Sequence, residues 1–305
     1  MTQLAHLNLP THQYKYPQVS LDSSYGQVVP IKLNTVNLVK EYLFTIVEGS
    51  LTGGSSPSWT VSGSNPLITH VTIKADNQTI YDADYSTVAE ELKLFNGFSS
   101  NGLSLWIKMG LQDILNQGKL FEQTVFPSYL YNQVYMYLTI APLANVTSGS
   151  PTGSSGTTLY LTEIDIDRLD VTFPILKTVK LQFSASQPIT GENHNTSLLS
   201  LDGLYAYMQV FGQADTDISY LKLVINTSHI EFDSYFSALK AENSSVFKTT
   251  PDNGYAYLLF SEDGSIDKML ALDDPVALKS VDLVIDTTTS PLTTTFFKTE
   301  VVGYY

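Results

Sequence analysis

The feature that most constrains the fold of this sequence is a unit that occurs twice, about half a chain apart. Residues 68–98, ITHVTIKADNQTIYDADYSTVAEELKLFNGF, match residues 218–247, ISYLKLVINTSHIEFDSYFSALKAENSSVF. Each copy has an apolar-x-apolar segment, a polar turn with Asn, an isolated Ile, and an aromatic-Ser pair that opens a helix. Two copies at this spacing predict a duplicated domain, whereas solenoids and propellers repeat every 20 to 50 residues.

The two copies align at a nearly constant offset. The aligned pairs are Val71 with Leu221, Ile73 with Leu223 and Ile80 with Ile230 at an offset of 150, then Tyr85 with Phe236 and Val88 with Leu239 at an offset of 151. A second match lies upstream, where residues 38–46 resemble residues 175–183 at an offset of 137. The alternative is chance similarity, because strands share composition.

The rest of the chain predicts strands. Each half has seven or eight short strands with turn signals and one or two small helices, which is typical of a β-sandwich and not of a parallel α/β sheet. Two Greek keys of eight strands make a jelly roll. We therefore predict an all-β fold with a few short helices, built from two tandem eight-stranded jelly rolls. The expected boundaries are an extended N-terminal arm at 1–29, a first jelly roll at 30–169 and a second at 170–305, in line with about 150 residues for one domain.

Composition excludes several classes of protein. The formal net charge is −14 and the only arginine is Arg168. Arginine is the preferred reader of phosphate and guanine, so this balance argues against direct nucleic-acid binding. The absence of Cys excludes a disulfide framework, thiolate metal sites and a Cys nucleophile. The first twenty residues lack the pattern of a secretory signal, and no apolar stretch is long enough to span a bilayer.

No motif predicts chemistry. The sequence contains no nucleophile elbow, P-loop or dinucleotide fingerprint, and the five histidines (His6, His12, His70, His194 and His229) lack metal-ligand spacing. Glu90/Glu91 and Asp273/Asp274 are adjacent pairs, whereas a glycosidase needs two carboxylates across a cleft. We therefore predict no catalytic, cofactor-binding or metal-binding residue, no cofactor and no enzymatic activity, and we interpret the histidines as satisfied by local hydrogen bonds.

One acidic pattern needs a separate interpretation. Glu163, Asp165 and Asp167 alternate with isoleucines, which puts the acids on one face of a strand. A Ca²⁺ site is conceivable there, but parallel side chains on one strand do not enclose an ion. The pattern favours a solvated strand face.

The order of these segments resembles a known family. A polar arm, a long strand in PIKLNTVNLVKEYLFTIVEGSLT (30–52), then NPLITHVTIKADNQTIYD (65–82) before a helix, and the repetition of that order, are similar to the double jelly-roll major capsid proteins of tailless, membrane-containing icosahedral viruses. The chain looks most similar to the smaller phage members, such as that of Flavobacterium phage FLiP. The resemblance covers residues 30–305 and carries no catalytic or binding signature.

The resemblance implies a coat protein that forms homotrimers, each a pseudo-hexagonal tile of six barrels, in a virion shell around an internal membrane. Implied partners are the chain itself, neighbouring capsomers, minor capsid and vertex proteins, and the membrane through the N-terminal arm. The implied location is the virion, after synthesis in the host cytoplasm. Aromatic residues are enriched at interfaces, so the arm tyrosines and the C-terminal VVGYY are candidate contacts, with core packing as the alternative.

Two other functions stay open at this point. A carbohydrate-binding β-sandwich, such as a lectin or receptor-binding protein, would use exposed tyrosines beside acidic loops, but the clustering here is diffuse. A two-domain jelly-roll hydrolase is the third reading, because one fold hosts many functions. A lectin would keep its affinity as a monomer, a hydrolase would turn over a glycan, and a coat protein would do neither.

Overall fold

The computed structural model describes residues 11–111, 124–168, 176–196, 198–199, 203–226, 229–261, 269–272 and 280–304. These residues divide into two compact units, the first running up to Val179 and the second starting at Lys180. The predicted boundary at 169/170 lies outside the described residues.

The first unit contains one α-helix, two short 3-10 helices (Ser128–Leu130 and Leu143–Asn145) and a series of strands. In chain order they are β1 (Thr11–Lys15), β2 (Val19–Ser20), β3 (Val28–Lys32), β4 (Leu38–Val47), β5 (Ser50–Thr52), β6 (Ser58–Trp59), β7 (Ile68–Ala75), β8 (Gln78–Asp84), α1 (Tyr85–Asn96), β9 (Ser104–Lys108), β10 (Phe126–Pro127), β11 (Val134–Ile140), β12 (Thr147–Ser148), β13 (Gly153–Ser155) and β14 (Thr158–Ile166).

Eight of these strands form two antiparallel sheets. One sheet has the order β1-β14-β4-β9, and the other has the order β3-β11-β7-β8. Counted along the chain, these orders are 1-8-3-6 and 2-7-4-5, which is the jelly-roll arrangement. Several of these strands, such as β9 and β11, alternate between buried and partly exposed residues; in β11, VYMYLTI, every second residue is buried. Such alternation gives each sheet one apolar face for the core.

The second unit repeats this arrangement. Its elements are β15 (Leu176–Gln187, which begins in the first unit), β16 (Gly191–Asn195), β17 (Leu204–Phe211), β18 (Ile218–Ile225), β19 (His229–Tyr235), α2 (Phe236–Phe247), β20 (Tyr255–Leu259), β21 (Leu270–Ala271), β22 (Val281–Thr287) and β23 (Leu292–Tyr304). The sheets are ordered β15-β23-β17-β20 and β16-β22-β18-β19, again 1-8-3-6 and 2-7-4-5 when β21 is left out. The predicted fold of two jelly rolls is confirmed.

The repeated unit is also confirmed, with one correction. β7, β8 and α1 correspond to β18, β19 and α2, and both hairpins carry a β-bulge at the same place, between Ile73 and Lys74 and between Leu223 and Val224. The pairing of Ile80 with Ile230 is wrong. Each hairpin register aligns Tyr81 with Phe232 instead, because the extra residue of the second copy lies in the turn and not after it.

The upstream match is wrong. Residues 38–46 belong to β4, the third main strand of its jelly roll, whereas β15 is the first main strand of the second. The counterpart of β4 is β17. Long apolar strands resemble each other in composition wherever they lie in a sheet, so the match reflected strand character and not duplication.

The segment predicted as an extended arm belongs, from residue 11 onwards, to the first unit. β1 pairs along its whole length with β14, from Thr11 opposite Ile166 to Lys15 opposite Thr162. β2 pairs with the other end of β14. All five residues of β1 are exposed, so no alternation of apolar and polar residues marks this strand in the sequence. Residues 1–10 lie outside the described part.

Candidate functional site

The acids of β14 point into the first unit, which contradicts the predicted solvated face. Glu163 and Asp165 are 0% and 2% exposed. The Tyr16 hydroxyl donates to Oε2 of Glu163, and Nδ2 of Asn37 donates to Oδ2 of Asp165 at 3.1 Å. Alternate residues of a strand lie on the same face. Leu159 and Leu161 are buried, so the acids that continue this alternation lie on the buried face as well. The apolar half of the strand was the signal that sequence reasoning missed.

This buried cluster has unusual electrostatics. Burial, together with repulsion from Asp165, raises the pKa of Glu163 to about 7, although the hydrogen bond from Tyr16 opposes the shift. Burial and the neighbouring Glu163 raise the pKa of the Tyr42 hydroxyl well above its usual value. Oε1 of Glu163 and Oδ1 of Asp165 are buried without a hydrogen-bond partner in the structure. The cluster ties the segment after β1 to the sheet.

Three of the four described histidines bind nearby carboxylates, in line with the interpretation that they are satisfied by local hydrogen bonds. His70 lies between Asp84, 2.7 Å from Nδ1, and Asp82, 3.0 Å from Nε2. These two hydrogen bonds raise the pKa of His70 to about 9, so its ring is charged at neutral pH and is not available as a base. In the second unit, His194 and His229 pair with Asp282 and Glu231.

Of the two candidate carboxylate pairs, the described one does not line a catalytic cleft. Glu90 and Glu91 are buried within α1, and Lys93 lies 3.6 Å from Glu90. Asp273 and Asp274 lie outside the described residues. Within the described ranges, no group of three or more His, Asp or Glu side chains could hold a metal ion. Neither described α-helix is long and apolar enough to cross a membrane. The prediction that the chain has no catalytic, cofactor or metal residue stays a prediction.

Two shallow depressions lie on the outer faces of corresponding sheets. The first, about 380 Å³, is lined by residues of β3, β7, β8 and β11, namely Val28, Thr72, Lys74, Thr79, Asp82, Tyr137 and Thr139. The second, about 410 Å³, is lined by residues of β16, β18 and β22 and the turns beside them, namely Glu192, His194, Thr196, Lys222, Val224, Ser280, Asp282 and Val284. Each mixes both signs of charge with small polar groups and has no convergent set of catalytic groups.

The arm tyrosines and the C-terminal residues differ in environment. Tyr14 is 45% exposed on β1. Tyr16 donates to Glu163, and Tyr25 bonds Ser154 at 2.6 Å, so both are held by their own unit. Val301 is buried in β23, which makes part of VVGYY core packing, and the side chains of 303–305 lie outside the described residues. Of the predicted aromatic contacts, Tyr14 is the exposed one among those described.

The sequence analysis did not predict that β19 is exposed along its whole length. All seven of its residues are at least partly exposed, and Ile230 and Tyr235 are 48% and 66% exposed. Tyr235 packs edge-on against Tyr220 of β18, with ring centroids 5.5 Å apart. Its counterpart β8, in contrast, buries Ile80, Tyr81 and Ala83. The sequence does contain a signal for this exposure. Glu231 and Ser234 of β19 occupy the positions of the buried Ile80 and Ala83 of β8.

Comparison with solved structures gives the same fold over nearly the full chain. The major capsid protein P2 of bacteriophage PM2 is 10% identical, with a TM-score of 0.70, and the match covers 96% of this chain and 98% of that one. The MCP of STIV, Sulfolobus Turreted Icosahedral Virus, is 13% identical, with a TM-score of 0.69 and coverage of 97% and 98%. The Faustovirus major capsid protein is 6% identical, with a TM-score of 0.59 and coverage of 97% and 90%.

No protein-family model and no curated protein sequence matches this chain. At these identities the structural matches show that the chain has the double jelly-roll fold of those capsid proteins.

Proposed function

We propose that this double jelly-roll chain is a major capsid protein that self-assembles as pseudo-hexameric trimers into the icosahedral shell of a virion around an internal membrane. The observation that carries the proposal is the match of both jelly rolls, over 96% of this chain and 98% of its own, to the major capsid protein P2 of bacteriophage PM2.

The duplicated fold supports a trimer. Each chain contributes two similar units, so three chains would place six similar barrels around one axis and make a nearly hexagonal tile. Tiles of this shape cover a surface with one kind of subunit. An obligate interface inside a tile buries roughly 2,000 Å² or more, and weaker contacts join neighbouring tiles. The proposed role is therefore structural and not enzymatic.

The remaining partners belong to the same proposal. They are neighbouring capsomers, minor capsid and vertex proteins, and the internal membrane, which the N-terminal segment would reach. The protein would be made in the host cytoplasm and reside in the virion. The net charge of −14 fits a coat that does not bind the genome directly. The particular similarity to the capsid protein of Flavobacterium phage FLiP stays a prediction.

Electron microscopy of the purified protein tests this function. We expect class averages with three-fold symmetry and six lobes, and curved or closed shells on concentration. A carbohydrate-binding protein would instead show isolated two-lobed particles that retain a glycan from an array. Two-lobed particles with glycan affinity would overturn the coat proposal.

A further inference from the structure

β19 is an edge strand that carries a β-bulge and two acidic residues. It is the last strand of the order β16-β22-β18-β19, and no other described strand lies on its outer side. An edge strand presents a row of unpaired N–H and C=O groups, and native proteins commonly shorten, bend or cover such edges. β19 has seven residues and carries exposed Ile230 and Tyr235. A strand of this kind suits pairing with another strand.

The corresponding strand of the first jelly roll is covered. β8 precedes α1 just as β19 precedes α2, and the sheet order places β15 beside β8. The start of β15 belongs to the first unit, where Nζ of Lys177 donates to Oε1 of Gln78 at 3.3 Å. β15 is the first main strand of the second jelly roll. Within the first unit, the start of β15 therefore lies on the outer side of β8.

The strand equivalent to β15 in the first jelly roll is β1, and no other described strand lies on its outer side. β1 pairs with β14 on one side and ends the order β1-β14-β4, and its five residues are all exposed. Its charge complements that of β19. β1 carries Lys15 and no acid, whereas β19 carries Asp233 and Glu231, the latter bound to His229. Opposite charges on two edges favour one pairing over others.

We propose that β1 of one copy pairs edge to edge with β19 of the next copy, so that the partner of this surface is a second copy of the chain. The inference rests on the proposed coat function and specifies how its subunits join. The two surfaces are different, so the contact is heterologous and either closes into a ring or continues as a filament. With two jelly rolls in each chain, closure after three copies gives the proposed tile.

Cysteine cross-linking tests the pairing, since the chain has no Cys of its own. The test variant carries Gln13→Cys on β1 and Ile230→Cys on β19, both at exposed positions, and is treated with a short bismaleimide, which tolerates a small difference in register. The matched control carries Gln13→Cys and Glu192→Cys, the latter on β16 at the opposite edge of the same sheet. Circular dichroism spectra and calorimetric melts like those of the unmodified protein show that both units of each variant fold.

We expect the Gln13→Cys/Ile230→Cys protein to lose most of its monomer band on a denaturing gel, with covalent bands of two and three chains in its place. The control and each single-Cys variant should stay monomeric. If the protein has the mass of a trimer in solution but the test variant gives no covalent bands, this pairing is wrong and the trimer is unaffected. A protein that is monomeric at every concentration refutes the trimer itself, and the pairing with it.

Discussion

Glu163 provides the sharpest test of the packing in the first jelly roll. Its carboxyl group is fully buried on β14, receives a hydrogen bond from Tyr16, and has one oxygen without a hydrogen-bond partner. Burial raises the pKa of this group from its ordinary value of 4.5 to about 7. Between these two pH values the folded protein holds a proton that the unfolded chain has lost.

The sign and size of the effect follow from this difference. Because the folded state binds more protons, the free energy of unfolding falls as pH rises from about 4.5 to about 7, and Glu163 contributes no further change above that range. Each pKa unit corresponds to about 1.36 kcal/mol, so the loss attributable to Glu163 amounts to about 3 kcal/mol. Glu163→Gln cannot titrate, so it should abolish this part of the pH dependence while its amide oxygen still accepts from Tyr16.

Urea unfolding followed by tryptophan fluorescence measures this directly. Both tryptophans, Trp59 and Trp106, lie in the first unit, so the signal reports the unit that contains Glu163. The control is Glu192→Gln, at an exposed position on β16, which should unfold like the unmodified protein at every pH. If Glu163→Gln shows the same fall in stability between pH 4.5 and 7 as the unmodified protein, burial of this carboxyl is not the cause and the reasoning is refuted.

Three further predictions concern both units. Phe296→Ala removes a fully buried ring from the core of the second unit and should lower its free energy of unfolding by about 3–5 kcal/mol, measured by calorimetry; a loss below about 1 kcal/mol would contradict the packing. Asn243→Ala should cost about 2–3 kcal/mol in the same assay, because Asn243 accepts from the N–H of Tyr257 at 2.7 Å and donates to its C=O at 2.9 Å, and both groups would be left buried and unpaired. His70→Gln should remove a contribution to stability that is complete below pH 6.5 and is lost as pH rises to about 9, because two aspartates raise the pKa of His70. The melting temperatures of the unmodified protein and of His70→Gln should differ at pH 6 and agree above about pH 9. The same difference at both pH values would contradict this explanation.

The parts of the fold that were predictable are those where burial alternates along a strand. The unit containing β7, β8 and α1 and its repeat combine a period of two with a turn and an amphipathic helix, and this combination is specific enough to align two distant segments. The alignment failed at Ile80 because a turn absorbs an extra residue without changing the hairpin that it joins. The upstream match failed because apolar strands resemble each other wherever they lie.

The surfaces were harder to predict because their signals depend on neighbours that are distant in sequence. β1 has no buried residue, so its role as a strand is visible only once β14 is in place beside it. Glu163 and Asp165 lie on the same buried face of β14 as Leu159 and Leu161. Their hydrogen-bond donors, Tyr16 and Asn37, come from other segments of the chain. The open edge of β19 becomes apparent only by comparison with β8 and the strand that covers it.

The mass of the native protein in solution, measured by light scattering coupled to size exclusion, tests the proposed assembly most directly. The account predicts a mass of about 101 kDa, three times the 33.7 kDa of one chain, that persists on dilution. A mass of 33.7 kDa at every concentration would contradict a self-assembling coat subunit.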